Sequence, residues 1–60
     1  MTVVYDNGKP IAMFKNRCDA ILFLWAIAEF WEQTYPVKVS PDKTRVTISM
    51  LTGESVYELK

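Results

Sequence analysis

The side chains best suited to chemistry in this chain are a single thiol and a few carboxylates. Cys18 is the only cysteine, and the sequence contains no histidine. A cysteine nucleophile of the Cys–His type needs an imidazole base beside it, so that class of catalysis is excluded. We therefore expect Cys18 to be a packed and unreactive thiol.

The acidic residues offer no better site. Glu29 and Glu32 are neighbours on a predicted helix face, and paired carboxylates can perform acid–base catalysis or hold a metal. No imidazole or further oxygen ligand accompanies them, so a solvated helix face is the favoured interpretation. Asp6 and Asp42 fall in turn sequences, where aspartate bonds to the local backbone. We predict a protein that is not an enzyme and has no cofactor and no metal.

Three basic residues surround the second predicted hairpin, namely Lys38, Lys43 and Arg45. A two-stranded ribbon with such residues can enter a DNA major groove or follow a phosphate backbone. Against this, Glu54 and Glu58 follow on the next strand, and the 7 basic and 7 acidic residues of the chain cancel. The favoured interpretation is a solubilised strand face, and nucleic-acid contact is the alternative.

The length and cysteine content indicate the class of protein. Residues 1–60 predict one small domain, near the lower limit for folding alone. An intrachain disulfide is excluded, so self-association is the expected additional source of stability. A lone thiol fits a reducing, cytoplasmic location. No secretory leader is visible, and the longest apolar run, 20–28, is shorter than the roughly 20 residues that cross a bilayer.

The N-terminal segment predicts a β-hairpin. Asn7-Gly8 between two apolar runs favours a two-residue turn with positive φ at both positions. That turn predicts a register with the pairs Asp6 with Lys9, Tyr5 with Pro10, Val4 with Ile11, Val3 with Ala12 and Thr2 with Met13.

A helix is predicted from Arg17 to Thr34, because this stretch lacks glycine and proline and ends before Pro36. Asn16 is the candidate N-cap. After Pro36 the apolar residues recur with period two over 37–39, 45–50 and 55–59. A Thr52-Gly53 loop predicts an apolar side with the pairs Met50 with Ser55, Ile48 with Tyr57 and Val46 with Leu59.

These elements predict an α+β fold of order ββαβββ. One helix packs on a mainly antiparallel sheet in two layers. At about 100° per residue, one side of the helix forms a core stripe consisting of Ala20, Phe23, Leu24, Ile27, Phe30, Trp31 and Thr34.

The opposite side of the helix is apolar in its first two turns, where a surface helix is normally polar. We expect this spare surface to bind protein, since an apolar centre with a charged rim is usual at interfaces. The predicted contact residues are Cys18, Ile21, Leu22, Trp25 and Glu29. In the alternative interpretation, strand residues wrap around the helix, or the core side is misplaced by one ridge.

The chain also resembles a broad group of small proteins. Its ββα opening, with the Lys15-Asn16-Arg17 connection into an alanine-rich helix, is similar in type and size to short phage and mobile-element proteins. That resemblance implies an inhibitor or adaptor. We therefore expect a cytoplasmic, homodimeric module that binds itself and a larger protein, with no membrane or small-molecule partner. A small nucleic-acid-binding or regulatory protein using the second hairpin is the alternative.

Overall fold

A computed structural model describes residues 1–60 and confirms the predicted α+β fold and ββαβββ order. One helix packs against a five-stranded antiparallel sheet. The elements are β1 (Thr2–Asp6), β2 (Lys9–Phe14), α1 (Arg17–Glu32), β3 (Val37–Val39), β4 (Arg45–Met50) and β5 (Gly53–Leu59).

The sheet has the strand order β2-β1-β5-β4-β3. The first and last strands in sequence are therefore neighbours in the middle of the sheet. Val3 and Lys60 exchange two backbone hydrogen bonds of 3.0 Å, and Val4 pairs with Leu59. The β1–β2 hairpin lies on one side of this seam, and the strands after the helix lie on the other.

The predicted turn of the first hairpin is confirmed, with φ of 51° at Asn7 and 87° at Gly8. The predicted register holds only next to the turn, for Asp6 with Lys9 and for Tyr5 with Pro10.

Beyond that point the predicted register of this hairpin is wrong by one residue. A β-bulge at Ile11 shifts the pairing, so that the observed pairs are Val4 with Ala12, Val3 with Met13 and Thr2 with Phe14. Pro10 cannot donate a ladder hydrogen bond, and a bulge accommodates such a gap. The shift places Ala12 and Phe14, instead of Ile11 and Met13, on the helix side of the sheet.

The second predicted register is wrong by two residues. The loop is Leu51–Thr52 rather than Thr52-Gly53. The observed pairs are Met50 with Gly53, Ile48 with Ser55 and Val46 with Tyr57. Gly53 has φ 132°, an angle that glycine adopts more readily than other residues. It is therefore the first residue after the turn, whereas the prediction made it the second residue of the turn. Because strand side chains alternate with period two, this slip leaves every side chain on its predicted face.

The core lies between α1 and the sheet. Its fully or nearly buried residues are Val4, Ala20, Leu24, Ala28, Val46, Ile48 and Leu59. Leu24 is at the centre of the helix stripe, and Ala20 and Ala28 one turn away allow close approach to the strands. Phe23 packs on Phe14 with ring centroids 5.3 Å apart. The predicted core stripe is confirmed for Ala20 and Leu24, which are fully buried. Its members Phe23, Ile27 and Trp31 are half-buried against the core.

Phe30 and Thr34, which we also predicted in the core, are exposed; the side chain of Phe30 is 68% exposed. At about 100° per residue, Phe30 lies about 120° from Leu24 around the helix. The predicted stripe was therefore rotated away from the true centre toward the Phe23 side.

The β3–β4 loop is fixed by a compact set of hydrogen bonds. The hydroxyls of Ser40 and Thr44 donate to Asp42 Oδ1 over 2.7 and 2.8 Å. The backbone N–H groups of Thr44 and Arg45 donate to Ser40 Oγ over 3.2 and 3.0 Å. Within this loop Lys43 has φ 64°.

Candidate protein-interaction surface

Along the helix face directed away from the sheet runs a row of uncharged side chains, with the exposed carboxylates of Asp19 and Glu29 on its two flanks. Cys18, Leu22, Ala26 and Phe30 follow one another at intervals of four residues, and all are exposed. Leu22 is 67% exposed and Phe30 68%. At a rise of about 1.5 Å per residue the row extends about 18 Å. We call these residues the outer ridge.

The structure separates the predicted interface residues into three groups. Cys18 and Leu22 lie on the outer ridge, and the expectation of a packed Cys18 is wrong because the residue is exposed. Trp25 and Glu29 are exposed beside the ridge. Ile21 is half-buried against the core, so it belongs to the flank of the core stripe rather than to the spare surface.

Phe30 is the residue that sequence reasoning placed on the wrong side. With Phe30 exposed, the apolar surface extends from the first helical turn to the last, rather than ending after two turns as predicted. The signal was present in the sequence as the uncharged i, i+4 series from Cys18. It was obscured because Phe23, which flanks the core, lies only about 20° from Phe30 on the helical projection.

A groove of about 260 Å³ runs between the helix and β3. Its lining residues are Trp25, Ala28, Glu29, Glu32, Val39 and Lys43. The ammonium nitrogen Nζ of Lys43 is 5.1 Å from the centroid of the Trp25 ring. This cation–π contact, of about 0.5–1 kcal/mol at an exposed site, ties the β3–β4 loop to the helix.

The outer edge of β3 borders this groove. Ser49 N–H donates to Pro36 O, and Ser40 N–H donates to Arg45 O, over 3.0 and 2.9 Å. Since backbone groups of an antiparallel ladder alternate in direction, the N–H and C=O of Val37 and Val39 point away from β4. These two residues therefore present unpaired strand edge next to the groove.

The three basic residues considered for nucleic-acid contact are not assembled into one patch. Lys43 is directed toward the helix, over Trp25. Arg45 Nη2 donates to Glu58 Oε2 over 3.0 Å, and this hydrogen bond is the main cause that lowers the pKa of Glu58 below its usual value. Lys38 is opposite Thr47, on the sheet face away from the helix. Lys38 and Arg45 therefore share the sheet face away from the helix, whereas Lys43 lies on the helix side.

No group of three or more histidine, cysteine, aspartate or glutamate side chains is arranged to hold a metal ion. No helix is long and apolar enough to cross a membrane.

Fold and site together define the class as a small two-layer α+β domain with an apolar ridge on the outside of its only helix. Comparison with known proteins adds no relative to this description. No protein-family model, no curated protein and no solved structure matches the chain.

Proposed function

We propose that this chain is a non-enzymatic protein-binding module that self-associates through the outer ridge and acts, as a dimer, as an inhibitor or adaptor of a larger protein. The observation that supports this function is the outer ridge itself, which is uncharged over its whole length although it is directed away from the sheet.

Burial of this ridge would yield substantial free energy. Full burial of a leucine or phenylalanine side chain contributes about 1.5–3 kcal/mol, and Leu22 and Phe30 each remain about two-thirds exposed in the single chain. Contiguous exposed apolar surface of this kind marks interaction sites. In a symmetric dimer each ridge residue is buried twice, once in each copy, which doubles the gain.

The target of the dimer would bind at the flank. The groove beside Trp25 and the free edge of β3 lie to the side of the outer ridge, so back-to-back helices leave both accessible. An extended segment of the target can add to Val37 and Val39 as a further strand, with one side chain in the groove between Glu29 and Lys43.

Substitution of Leu22 by Asp tests self-association. We expect the dimer to weaken by at least about a hundredfold, because two unpaired carboxylates would be buried in each dimer. The stability of the monomer should change by less than about 0.5 kcal/mol, since Leu22 is a surface residue. Sedimentation equilibrium measures the first effect and urea unfolding of dilute protein the second.

Leu51→Asp is the matched control, because Leu51 is 97% exposed in the β4–β5 turn and is not part of the outer ridge. It should leave association unchanged. A wild-type chain that sediments as a monomer at micromolar concentration would refute self-association.

Trp25→Ala tests target binding by affinity capture from host lysate. If this variant still forms the dimer but no longer captures a protein that the wild type captures, the target binds at the groove beside Trp25.

A further inference from the structure

We infer that the occupant of the outer ridge is a second copy of the chain docked antiparallel, with Leu22 against Ala26 of the second copy and Cys18 against Phe30 of the second copy. This inference rests on the proposed self-association and specifies its geometry. The resulting dimer would have four layers, with the two helices inside and the two sheets outside.

The first support is the alternation of side-chain size along the ridge. Cys18 and Ala26 are small, whereas Leu22 and Phe30 are large and exposed. A two-fold axis that crosses the ridge midway between Leu22 and Ala26 pairs every large side chain with a small one. A parallel arrangement pairs Leu22 with Leu22 and Phe30 with Phe30, and leaves the Ala26 pair too short to meet. Only the antiparallel order fills the interface evenly.

Helix packing geometry is compatible with this order. Rows of residues spaced by four form inclined ridges on a helix, and a crossing angle of about −50° makes such rows on two helices parallel. The crossing point then lies between Leu22 and Ala26, where the small alanine permits close approach. The same residue pairs occur twice around the axis, as an isologous interface requires.

The second support is the distribution of charge along the helix. Lys15 and Arg17 lie at its N-terminal end, and Glu29 and Glu32 lie in its last turns. None of these four side chains forms an ion pair within the chain, where the only ion pairs join Glu58 to Arg45 and to Lys60. This placement opposes the dipole of the helix, which favours acidic groups at the start and basic groups at the end.

An antiparallel partner reverses that disadvantage. It brings Glu29 and Glu32 of one copy to the height of Lys15 and Arg17 of the other, so the helix dipoles become complementary and the two helix ends carry opposite charge. Lys15 is the nearer of the two basic residues in this arrangement, because Arg17 lies only about 20° from Leu24 around the helix, on the side of the sheet. Asp19 is the one charge that opposes the arrangement, and it lies on the flank of the ridge opposite to that of Glu29. The charge pattern is therefore favourable for the dimer although it is unfavourable for the isolated helix.

Cysteine cross-linking tests the register, because the chain has only Cys18. In the antiparallel dimer the two Cys18 residues are about 18 Å apart along the helices, too far for a disulfide, which needs Cα atoms within about 7 Å. Phe30→Cys places a second thiol opposite Cys18 of the other copy. Under copper-phenanthroline oxidation we expect this variant to form covalent dimer roughly tenfold faster than a control, since thiols held together react at high effective concentration.

Ser49→Cys is that control: it also has two cysteines, retains Phe30, and places the new thiol at an exposed position on β4, away from the ridge. Fast cross-linking of the wild type through Cys18 would overturn the antiparallel register and leave a parallel dimer. If the Phe30→Cys variant itself sediments as a dimer but reacts no faster than the control, another surface mediates association. A monomer by sedimentation would refute the proposed self-association as well as its register.

Discussion

Asn7 attaches the first hairpin to the centre of the sheet in addition to forming its turn. It adopts φ 51°, a left-handed conformation that asparagine tolerates better than most residues. Its backbone N–H donates to Val56 O over 2.8 Å, and its side-chain Oδ1 accepts from Val56 N–H over 2.8 Å. The sequence predicts the turn from Asn-Gly. It does not predict the bonds to β5, because their partner is 49 residues away in the chain.

Replacement of Asn7 by Ala should lower the free energy of unfolding by about 2 kcal/mol, through the lost hydrogen bond and the less tolerated left-handed backbone. Asn16→Ala is the informative comparison. Asn16 occupies the N-cap position of α1 but makes no side-chain capping hydrogen bond. Its substitution should therefore cost less than about 0.5 kcal/mol. Urea unfolding of both variants measures the difference, and equal losses would contradict the assignment of these roles.

Among the elements, the β3–β4 loop depends most clearly on an ionised side chain. Hydrogen bonds from the Ser40 and Thr44 hydroxyls and from the Thr44 backbone hold the pKa of Asp42 below its usual value. A carboxyl group whose pKa is lower in the folded state stabilises the fold at pH values above its unfolded pKa. That contribution is lost as the pH falls through the folded pKa.

Asp42→Asn keeps a hydrogen-bond acceptor and removes the charge. We expect a lower melting temperature than that of the wild type at pH 7, and a smaller further decrease as the pH is lowered from 5 to below 3. The remaining acid sensitivity should come from Glu58, whose pKa is lowered chiefly by the Arg45 hydrogen bond. Thermal unfolding followed by circular dichroism at each pH provides the measurement. An unchanged acid dependence in Asp42→Asn would assign the effect to other carboxyl groups.

The elements also show which parts of the fold can be predicted from sequence and why. Composition and Pro36 are sufficient to locate the helix, and alternation is sufficient to assign strand faces. The pairing register is harder to predict. The bulge at Ile11 depends on which residue of β1 pairs with Pro10, and the β4–β5 turn depends on whether Gly53, with its positive φ, lies inside the turn or directly after it. The rotation of the helix, and with it the position of Phe30, depends on how closely Ala20 and Ala28 approach the strands.

At the scale of the whole molecule, the proposed dimer should respond to the charges at both ends of its helices together. Lys15→Glu with Arg17→Glu, or Glu29→Lys with Glu32→Lys, places like charges together at both ends of an antiparallel pair. We expect each double variant to weaken the dimer roughly tenfold. The quadruple variant restores opposite charges across the interface and should recover wild-type association in sedimentation equilibrium at low salt.

The quadruple variant also distinguishes intermolecular from intramolecular effects. Its helix carries acidic residues at the start and basic residues at the end, which stabilises each helix on its own. If the quadruple variant has a more stable monomer than the wild type but associates more weakly, the exchanged charges do not meet across the interface. Double variants that associate as tightly as the wild type would give the same conclusion.

The position of β5 between β1 and β4 has a consequence for how the chain folds. The hairpin of β1 and β2 can form early, because its two strands are adjacent in sequence. The other edge of β1, however, has no partner until β5 pairs with it, as the pairing of Val4 with Leu59 shows. Contacts so distant in sequence are slow to form, because the loop entropy is lost before they are made. Neither half of the sheet can complete the core alone, so folding should be a single cooperative step that is completed when β5 pairs with both β1 and β4.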